Sequence, residues 1–321
     1  MPTVITLGEV LIDFIATETG PLRDAPGFLK RAGGAPANVA VGISRLKVSA
    51  GFIGKVGDDE FGGFLRGVLE TNRVDVTCLK YTSAAQTPLA FVSLTETGVP
   101  DFTFYRSPGA DEKLSVDDID EAYIQTGRVL HYGSLSLTSE PSRSATFRAV
   151  QYAHQGELIV SMDPNLRLSL WKDEATAKRV IREGISRSHL LKLSGEEANY
   201  LTGADSLEQA SDILRNWGPV WVVITRGKKG CAYRLQDRYG EIPGYTVETV
   251  DTTGAGDGFL AGLLSYLVQQ KPLSDLSDWS AEAVEDALRY ANAVAALTTT
   301  SYGGIDALPD VTKVRDFLHN L

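Results

Sequence analysis

"ELIVSMDPNLRLSLWKDEATAKRVIREGISRSHLLKLSGEE", residues 157–197, holds the fold in miniature. It opens on an apolar run, Glu157 to Asp163, turns at Pro164, reads as a helix over Glu174 to Ser188, and closes on a second apolar run, His189 to Ser194. Neither run alternates apolar with polar residues, so each predicts a strand covered on both faces. Strand, helix and strand at this spacing predict a parallel crossover unit. Outward from it the same rhythm continues. Further strands are predicted at Thr3–Gly8, Ser49–Gly57, Arg128–Gly133 and Val220–Gly227. Further helices are predicted at Ala35–Leu46, Asp59–Glu70, Ser142–Gln155, Ser206–Trp217 and Gly258–Gln269, the last apolar around most of its circumference. The expected fold is α/β, a doubly wound, mostly parallel sheet flanked by helices.

Two segments break the rhythm. Thr87 to Arg106 reads as two alternating strands about a Gly/Pro/Asp turn, a β-hairpin. "FIATETGPLRDAPGFLKRAGG", residues 14–34, is rich in turn residues and lacks helical periodicity. Together they predict a discontinuous β-sheet lid over residues 13–32 and 87–107, inserted into a core of 1–12, 33–86 and 108–321. The plainer alternative is a surface hairpin. The outer face of the lid is a candidate surface for a homodimer.

The chain has 321 residues, 43% of them hydrophobic and 22% charged, enough for a large buried core. Its net charge of −10 argues against a nucleic-acid partner. The opening "MPTVITLGEVLIDF" has no basic segment and is interrupted by Glu9 and Asp13, so neither a signal peptide nor a membrane span is expected there. The two cysteines, Cys78 and Cys231, lie in strand-like runs and read as buried thiols. A cytoplasmic location is the expectation.

The chemistry concentrates at "VDTTGAGDGFLAGLLSYL", residues 250–267. Gly254, Ala255 and Gly256 open a helix, whose first amides and positive dipole end suit a phosphate-sized anion. Asp257 falls on the first turn. A carboxylate beside a bound phosphate repels it, so its place there is explained by a different task, taking the proton of an attacking hydroxyl. Glu9 and Asp13 follow the first strand, and Gly33, Gly34 and Asn38 open the next helix, where carboxylate and carboxamide can bracket the hydroxyls of a neutral polyol. Asn38 reads alternatively as a cap. Asn165 and Arg167 follow a buried strand, Asn165 as a candidate nucleotide contact and Arg167 as a cation near the anion or a surface residue of a plain turn. Lys192, Ser194 and Glu197 read equally as contacts to a hydrated Mg2+ and as a capping box. Thr225 and Gly227 end another strand and can seat a nucleotide on backbone. His131 reads as a core or rim residue, or alternatively as part of the lining of a sugar pocket.

These motifs resemble a known family over essentially the whole chain. "GGAPANVA" (33–40) followed by "GKVGDDEFG" (54–62), with "DTTGAGDGF" (251–259), is similar to the paired signatures of the ribokinase-like (pfkB) carbohydrate kinases. "DPNLRLSLW" (163–171), "YRSPGAD" (105–111) and "ANAVAALTTTSYGGIDALP" (291–309) resemble the fructokinase branch. The resemblance implies ATP as donor with Mg2+, Asp257 as catalytic base, and an anion hole from the amides of Gly254, Ala255, Gly256 and Asp257. It implies sugar contacts from Asp13, Gly34 and Asn38, with Arg106 reaching in from the lid, and Ser194, Thr225, Gly227 and Asn292 at the nucleotide. It also implies a K+ or similar ion at Asp251, Thr253 and Gly304. Ser194 stands where many members carry Asn. The expected reaction is phosphorylation of D-fructose at its 6-hydroxyl. Ribose, 2-keto-3-deoxygluconate or a nucleoside are alternative acceptors, and a catalytically inactive sugar sensor is the alternative of a different class.

Overall fold

Strands that are apolar on both sides need cover on both faces, and here two helical layers supply it. The computed structural model describes residues 1–94, 100–270 and 276–320. Nine strands form the large sheet, in the order Arg238–Ile242, Cys231–Leu235, Trp221–Thr225, Leu190–Ser194, Ile159–Asp163, Val129–Gly133, Val4–Leu7, Ala50–Gly57 and Leu79–Thr82. Neighbours pair in parallel from Trp221–Thr225 to Leu79–Thr82. Only the edge hairpin, Cys231–Leu235 with Arg238–Ile242, is antiparallel.

Successive strand residues feed opposite cores, as the two-residue period of a strand requires. Trp221 and Val223 pack with the helices Ala35–Arg45, Ala255–Gln269 and Ala281–Thr298. Val222 and Ile224 pack on the other face with Ser142–Gln155, Glu174–Ser186 and Leu207–Arg215. Such a two-sided sheet gathers the carboxyl ends of its parallel strands on one rim, where Asp163, Ser194 and Thr225 stand.

The helices begin in two ways. Asp59, Asp173, Ser206 and Ser280 each accept a hydrogen bond from the amide three residues on, the ordinary N-cap. Helices Ala35–Arg45 and Ala255–Gln269 have glycine at that place, Gly34 and Gly254, and no side-chain cap. Both glycines hold positive φ, +102° and +77°. A Cβ on Gly34 would stand 2.5 Å from the carbonyl oxygen of Glu9, so no other residue fits. Two helix starts are thereby left open toward the same rim.

The second sheet has four strands, in the order Phe28–Gly33, Leu11–Thr19, Leu89–Leu94 and Pro100–Tyr105. Leu11–Thr19 pairs antiparallel with Phe28–Gly33 and parallel with Leu89–Leu94, which pairs antiparallel with Pro100–Tyr105. The predicted turn of this hairpin, at 95–99, lies outside the described residues. Phe14, Phe28, Phe91 and Tyr105 share one face of the sheet, with ring centroids 5.2–6.5 Å apart.

The central helix starts at Ala255, three residues before the apolar run that predicts it. The predicted helix ending at Ser188 ends at Ser186. The strand-like run at Cys231 is the strand Cys231–Leu235, while its partner Arg238–Ile242 and the helix Ala281–Thr298 are not among the elements expected from sequence. No helix among the described residues is long and apolar enough to cross a membrane.

Candidate active site

Two cavities meet at the start of the Ala255–Gln269 helix. The larger, about 510 Å³, is lined by Thr225, Gly227, the Gly244–Val247 segment, Phe259 and Asn292. The smaller is lined by Glu9, Asp13, Gly34, Asn38, Phe102, Phe104, Asn165 and Arg167. The helix start divides itself between them. Thr252, Ala255 and Gly256 face the larger cavity, and Thr253, Gly254 and Asp257 face the smaller. A group bound at these amides therefore stands between one ligand and the other.

The amides of Gly254, Gly256 and Asp257 have no acceptor among the described residues. That of Ala255 donates to Thr252 O at 3.2 Å. This corrects the four-amide expectation: Ala255 closes the turn instead of offering its N–H. Gly254 reaches its left-handed conformation beside Gly304, whose Cα would lie 3.1 Å from a Cβ on Gly254.

Asp257 is aimed into the small cavity. Asn38 Nδ2 donates to its Oδ2 at 2.7 Å, across the gap between the two glycine-capped helices. Burial raises its pKa to about 6, although Asn38, Lys192 and Arg167 oppose the rise. Burial, then repulsion from Asp257, raises Asp13 to about 7. Burial likewise raises Glu9 to about 7. Glu9 Oε1 accepts from Ala35 N at 3.2 Å, while its Oε2 and Asn38 Oδ1 are buried with no partner among the described residues. Buried polar atoms left over in a cavity are matched to ligand hydroxyls. A rate that needs ionised Asp257 falls as pH drops through about 6. We expect kcat/KM to fall on that limb toward a limiting slope of about tenfold per pH unit, and more steeply only if Asp13 must also be ionised. A rate–pH profile flat down to pH 5 would contradict this.

The structure brings together most, not all, of the residues singled out by sequence. Asp13, Gly34, Asn38 and Arg167 line the small cavity. Gly33 ends its strand against Asp13, whose Oδ2 fills the place of a Cβ. Thr225, Gly227 and Asn292 line the large cavity, where Asn292 Nδ2 donates to Pro243 O at 3.1 Å. Asn165, expected at the nucleotide, lines the small cavity instead, because its backbone turns back onto Asp163 Oδ1 with φ +41°.

Arg106 is the largest correction. Its guanidinium is buried outside the cavity, with Nε 2.6 Å from Asp111 Oδ2 and further bonds to Thr138 Oγ1 and Leu135 O. It anchors the end of the small sheet to the core. Ser194 and Glu197 resolve as the capping box: Glu197 N donates to Ser194 Oγ, and Ser194 N to Glu197 Oε2. Glu197 Oε1 accepts from Leu166 N at 2.7 Å, so backbone amides occupy both its oxygens. Lys192 lines neither cavity and pairs with Asp163. His131 is buried against Ser161, its pKa lowered by burial to about 3, and stays a neutral core residue.

Asp251 binds its own loop: Oδ1 accepts from Thr253 N and Oδ2 from Gly303 N, both at 2.9 Å. Gly304 follows directly. No cluster of three His, Cys, Asp or Glu residues suited to a metal occurs among the described residues.

Phe102 and Phe104 were missed as site residues. Their two-residue spacing on a strand puts both rings on one face, a signal the sequence did carry. Arg167 lies over the Phe102 ring at 5.5 Å. The Gly244–Val247 segment, which lines the large cavity, carried no such signal, since an irregular loop has no side-chain period.

Comparisons with known proteins agree with this geometry. The family model described as "pfkB family carbohydrate kinase" matches residues 1–311. A probable fructokinase-4 of Arabidopsis thaliana is 42% identical over 317 residues, spanning 98% of this chain and 96% of the plant protein. The crystal structure of a fructokinase from Xylella fastidiosa with bound ATP superposes with a TM-score of 0.91 at 33% identity, covering 100% of this chain and 99% of that one. A double mutant of the Vibrio cholerae O395 fructokinase, in fructose, ADP and potassium ion bound form, superposes with a TM-score of 0.88 at 34% identity, covering 99% and 98%. The large parallel sheet with its separate small sheet is the ribokinase-like fold these structures share.

Proposed function

The chain belongs to the pfkB family of carbohydrate kinases, and from that premise we propose that it transfers the γ-phosphoryl group of ATP to the 6-hydroxyl of D-fructose. One observation carries the reading: Asp257 and the unpaired amides of Gly254 and Gly256 stand between a large and a small cavity. ATP occupies the large cavity, with Thr225, Gly227 and Asn292 around it. The sugar occupies the small one. Asp257 takes the proton of the attacking hydroxyl, held in line by Asn38. The amides steady the oxygens of the group in transit, where one donor is typically worth about 10²–10³ in rate. The small sheet covers the sugar with Phe102 and Phe104 and keeps water from competing as acceptor.

The charges of the small cavity favour a neutral sugar. Among the described residues Arg167 is the one cation that lines it, against the carboxyl groups of Glu9, Asp13 and Asp257. A sugar acid would bring a fourth carboxylate beside Glu9, Asp13 and Asp257. Fructose also has the precedent of the Vibrio protein, which was solved with fructose bound.

Both oxygens of Glu197 are engaged, so these residues make no protein cage for Mg2+. Such an ion would travel with the nucleotide phosphates and shield their charge. A single K+ at Asp251, Thr253 and Gly304 has the potassium of the Vibrio structure as precedent; since both Asp251 oxygens already accept from amides, main-chain oxygens of this loop would supply most of its ligands. Phe28, Leu29 and Tyr105 are 36%, 49% and 65% exposed on the small sheet, which supports a homodimer through that sheet. Two free buried cysteines suit a reducing cytoplasm.

The test is ADP release over a panel of fructose, ribose, 2-keto-3-deoxygluconate and nucleosides. We expect kcat/KM for fructose to exceed every other by at least about tenfold. Preferred turnover of the sugar acid would overturn the substrate. Sugar binding with no ADP from any acceptor would overturn the kinase reading in favour of a sensor.

A further inference from the structure

Glu197 stands on the first turn of the helix Gly195–Thr202, just past the carboxyl end of the strand Leu190–Ser194. A capping box asks its side chain for one bond, to the amide of Ser194, and Oε2 makes it at 2.8 Å. The other oxygen is turned away from the helix. Oε1 accepts from Leu166 N at 2.7 Å, in the turn that follows the neighbouring parallel strand Ile159–Asp163. One carboxylate thus ties the ends of two strands together across 31 residues of sequence.

That turn has to be held. Asn165 has φ +41°, a left-handed conformation that costs a non-glycine residue free energy and persists only where the surroundings fix it. Successive residues are fixed from different sides. Pro164 O accepts from Ser134 N at 3.2 Å, and Asp163 Oδ1 accepts from Asn165 N at 3.2 Å. Glu197 then takes Leu166 N, in a shorter bond than either and on the residue directly before Arg167. The guanidinium of Arg167 folds back onto Leu166 O, with Nη1 at 3.1 Å, while it lies over Phe102 and lines the small cavity. Leu166 is therefore gripped by Glu197 at its N–H and by Arg167 at its carbonyl. The direction of its backbone sets where the guanidinium stands, and Glu197 sets that direction.

We propose that Glu197 is a positioning residue for the sugar, holding Arg167 in the wall of the small cavity through the backbone of Leu166. This rests on the kinase reading with fructose as acceptor, and deepens it. It replaces the expected contact of Glu197 with hydrated Mg2+, since both of its oxygens already accept from amides. A carboxylate suits the task because two N–H groups converge on it from different strands, and it meets each with a charged oxygen. Glutamine brings one oxygen to the same place, and alanine none.

The experiment measures fructose affinity by calorimetry, without nucleotide or Mg2+, in the native protein, Glu197→Ala, Glu197→Gln, Arg167→Met and the double variant Glu197→Ala/Arg167→Met. Each variant is first shown to melt cooperatively. We expect Glu197→Ala to weaken fructose binding about tenfold, and Glu197→Gln, which can turn its oxygen to Leu166 N, only about threefold. On the Arg167→Met background the further loss from Glu197→Ala should shrink to within about twofold, because the group it positions is gone. ADP affinity and the Mg2+ concentration giving half-maximal rate should stay within about threefold of native in Glu197→Ala. Should the alanine variant not fold, the glutamine variant carries the same cycle, with a loss of about threefold that the Arg167→Met background removes. Undiminished fructose affinity in Glu197→Ala overturns the proposal. So does a full loss that persists without Arg167, which would make Glu197 a support of the fold alone. A raised Mg2+ requirement with unchanged fructose binding also overturns it, and assigns Glu197 to the metal. A native protein that binds no fructose overturns the acceptor reading first, and this inference with it.

Discussion

Asp257→Asn is expected to lower kcat by roughly 10²–10⁴ while leaving the affinity for ATP within about twofold. The substitution is nearly isosteric and keeps an oxygen to accept from Asn38 Nδ2, so the cross-link between the two glycine-capped helices survives. The backbone amides of Gly254 and Gly256 do not depend on the side chain and continue to hold phosphate. What disappears is the lone pair that takes the proton. The same variant has a second signature, in stability. The native carboxyl has its pKa raised to about 6 from 3.8 by burial, so its ionised form is disfavoured in the folded protein. That penalty is absent below about pH 4, grows as pH rises toward 6, and is full above it. The variant should thus melt higher than the native protein at pH 8 and lose this advantage toward pH 4. Calorimetry across pH and single-turnover ADP release check the two halves separately. Near-normal turnover would remove Asp257 from the role of base.

How far the sequence could be read follows from how local each feature is. The strands Leu190–Ser194 and Trp221–Thr225 were legible because two-sided burial leaves continuous apolar runs. The open helix start at Gly254 was legible because small residues before an apolar helix have a specific use. In the edge hairpin the run at Cys231 was legible as strand-like, but its partner Arg238–Ile242 was not, since only Ile242 of that strand is buried and no apolar run marks it. At Ser194 two readings of one S-x-x-E pattern competed, and the local one, the capping box, is what the backbone adopts. Ala255 shows the opposite limit. Its amide looks equivalent to its neighbours in sequence, and only the turn at Thr252 shows that it is engaged. Lys192 was singled out in the sequence, but not its place beneath Gly256, which depends on the meeting of a strand and a helix some sixty residues apart.

Arg106→Met should destabilise the protein by about 3–5 kcal/mol, the usual result of stranding a buried partner charge. The family resemblance implied a place for this arginine in the sugar site, reaching in from the lid. Its surroundings give it another task. The side chain is 3% exposed and Asp111 beside it 4%. Glu112 lies 3.7 Å from the same guanidinium, and the buried Glu9 also feels its charge. Asp111 Oδ1 is buried with no partner among the described residues, so this carboxylate relies on Arg106 through its other oxygen. Removing the guanidinium leaves these acids to repel one another out of contact with water. The hydrogen bonds to Thr138 and Leu135, which tie the end of the Pro100–Tyr105 strand to the core, go with it. The melting temperature should fall on the order of 10 °C. Arg106→Met/Asp111→Leu should recover much of that loss, because an apolar pair of similar volume replaces the ion pair. For either variant, assayed well below its melting point, KM for the sugar should stay within about threefold of the native value. The reverse pattern, an unchanged melting temperature with KM raised a hundredfold or so, would return Arg106 to the sugar.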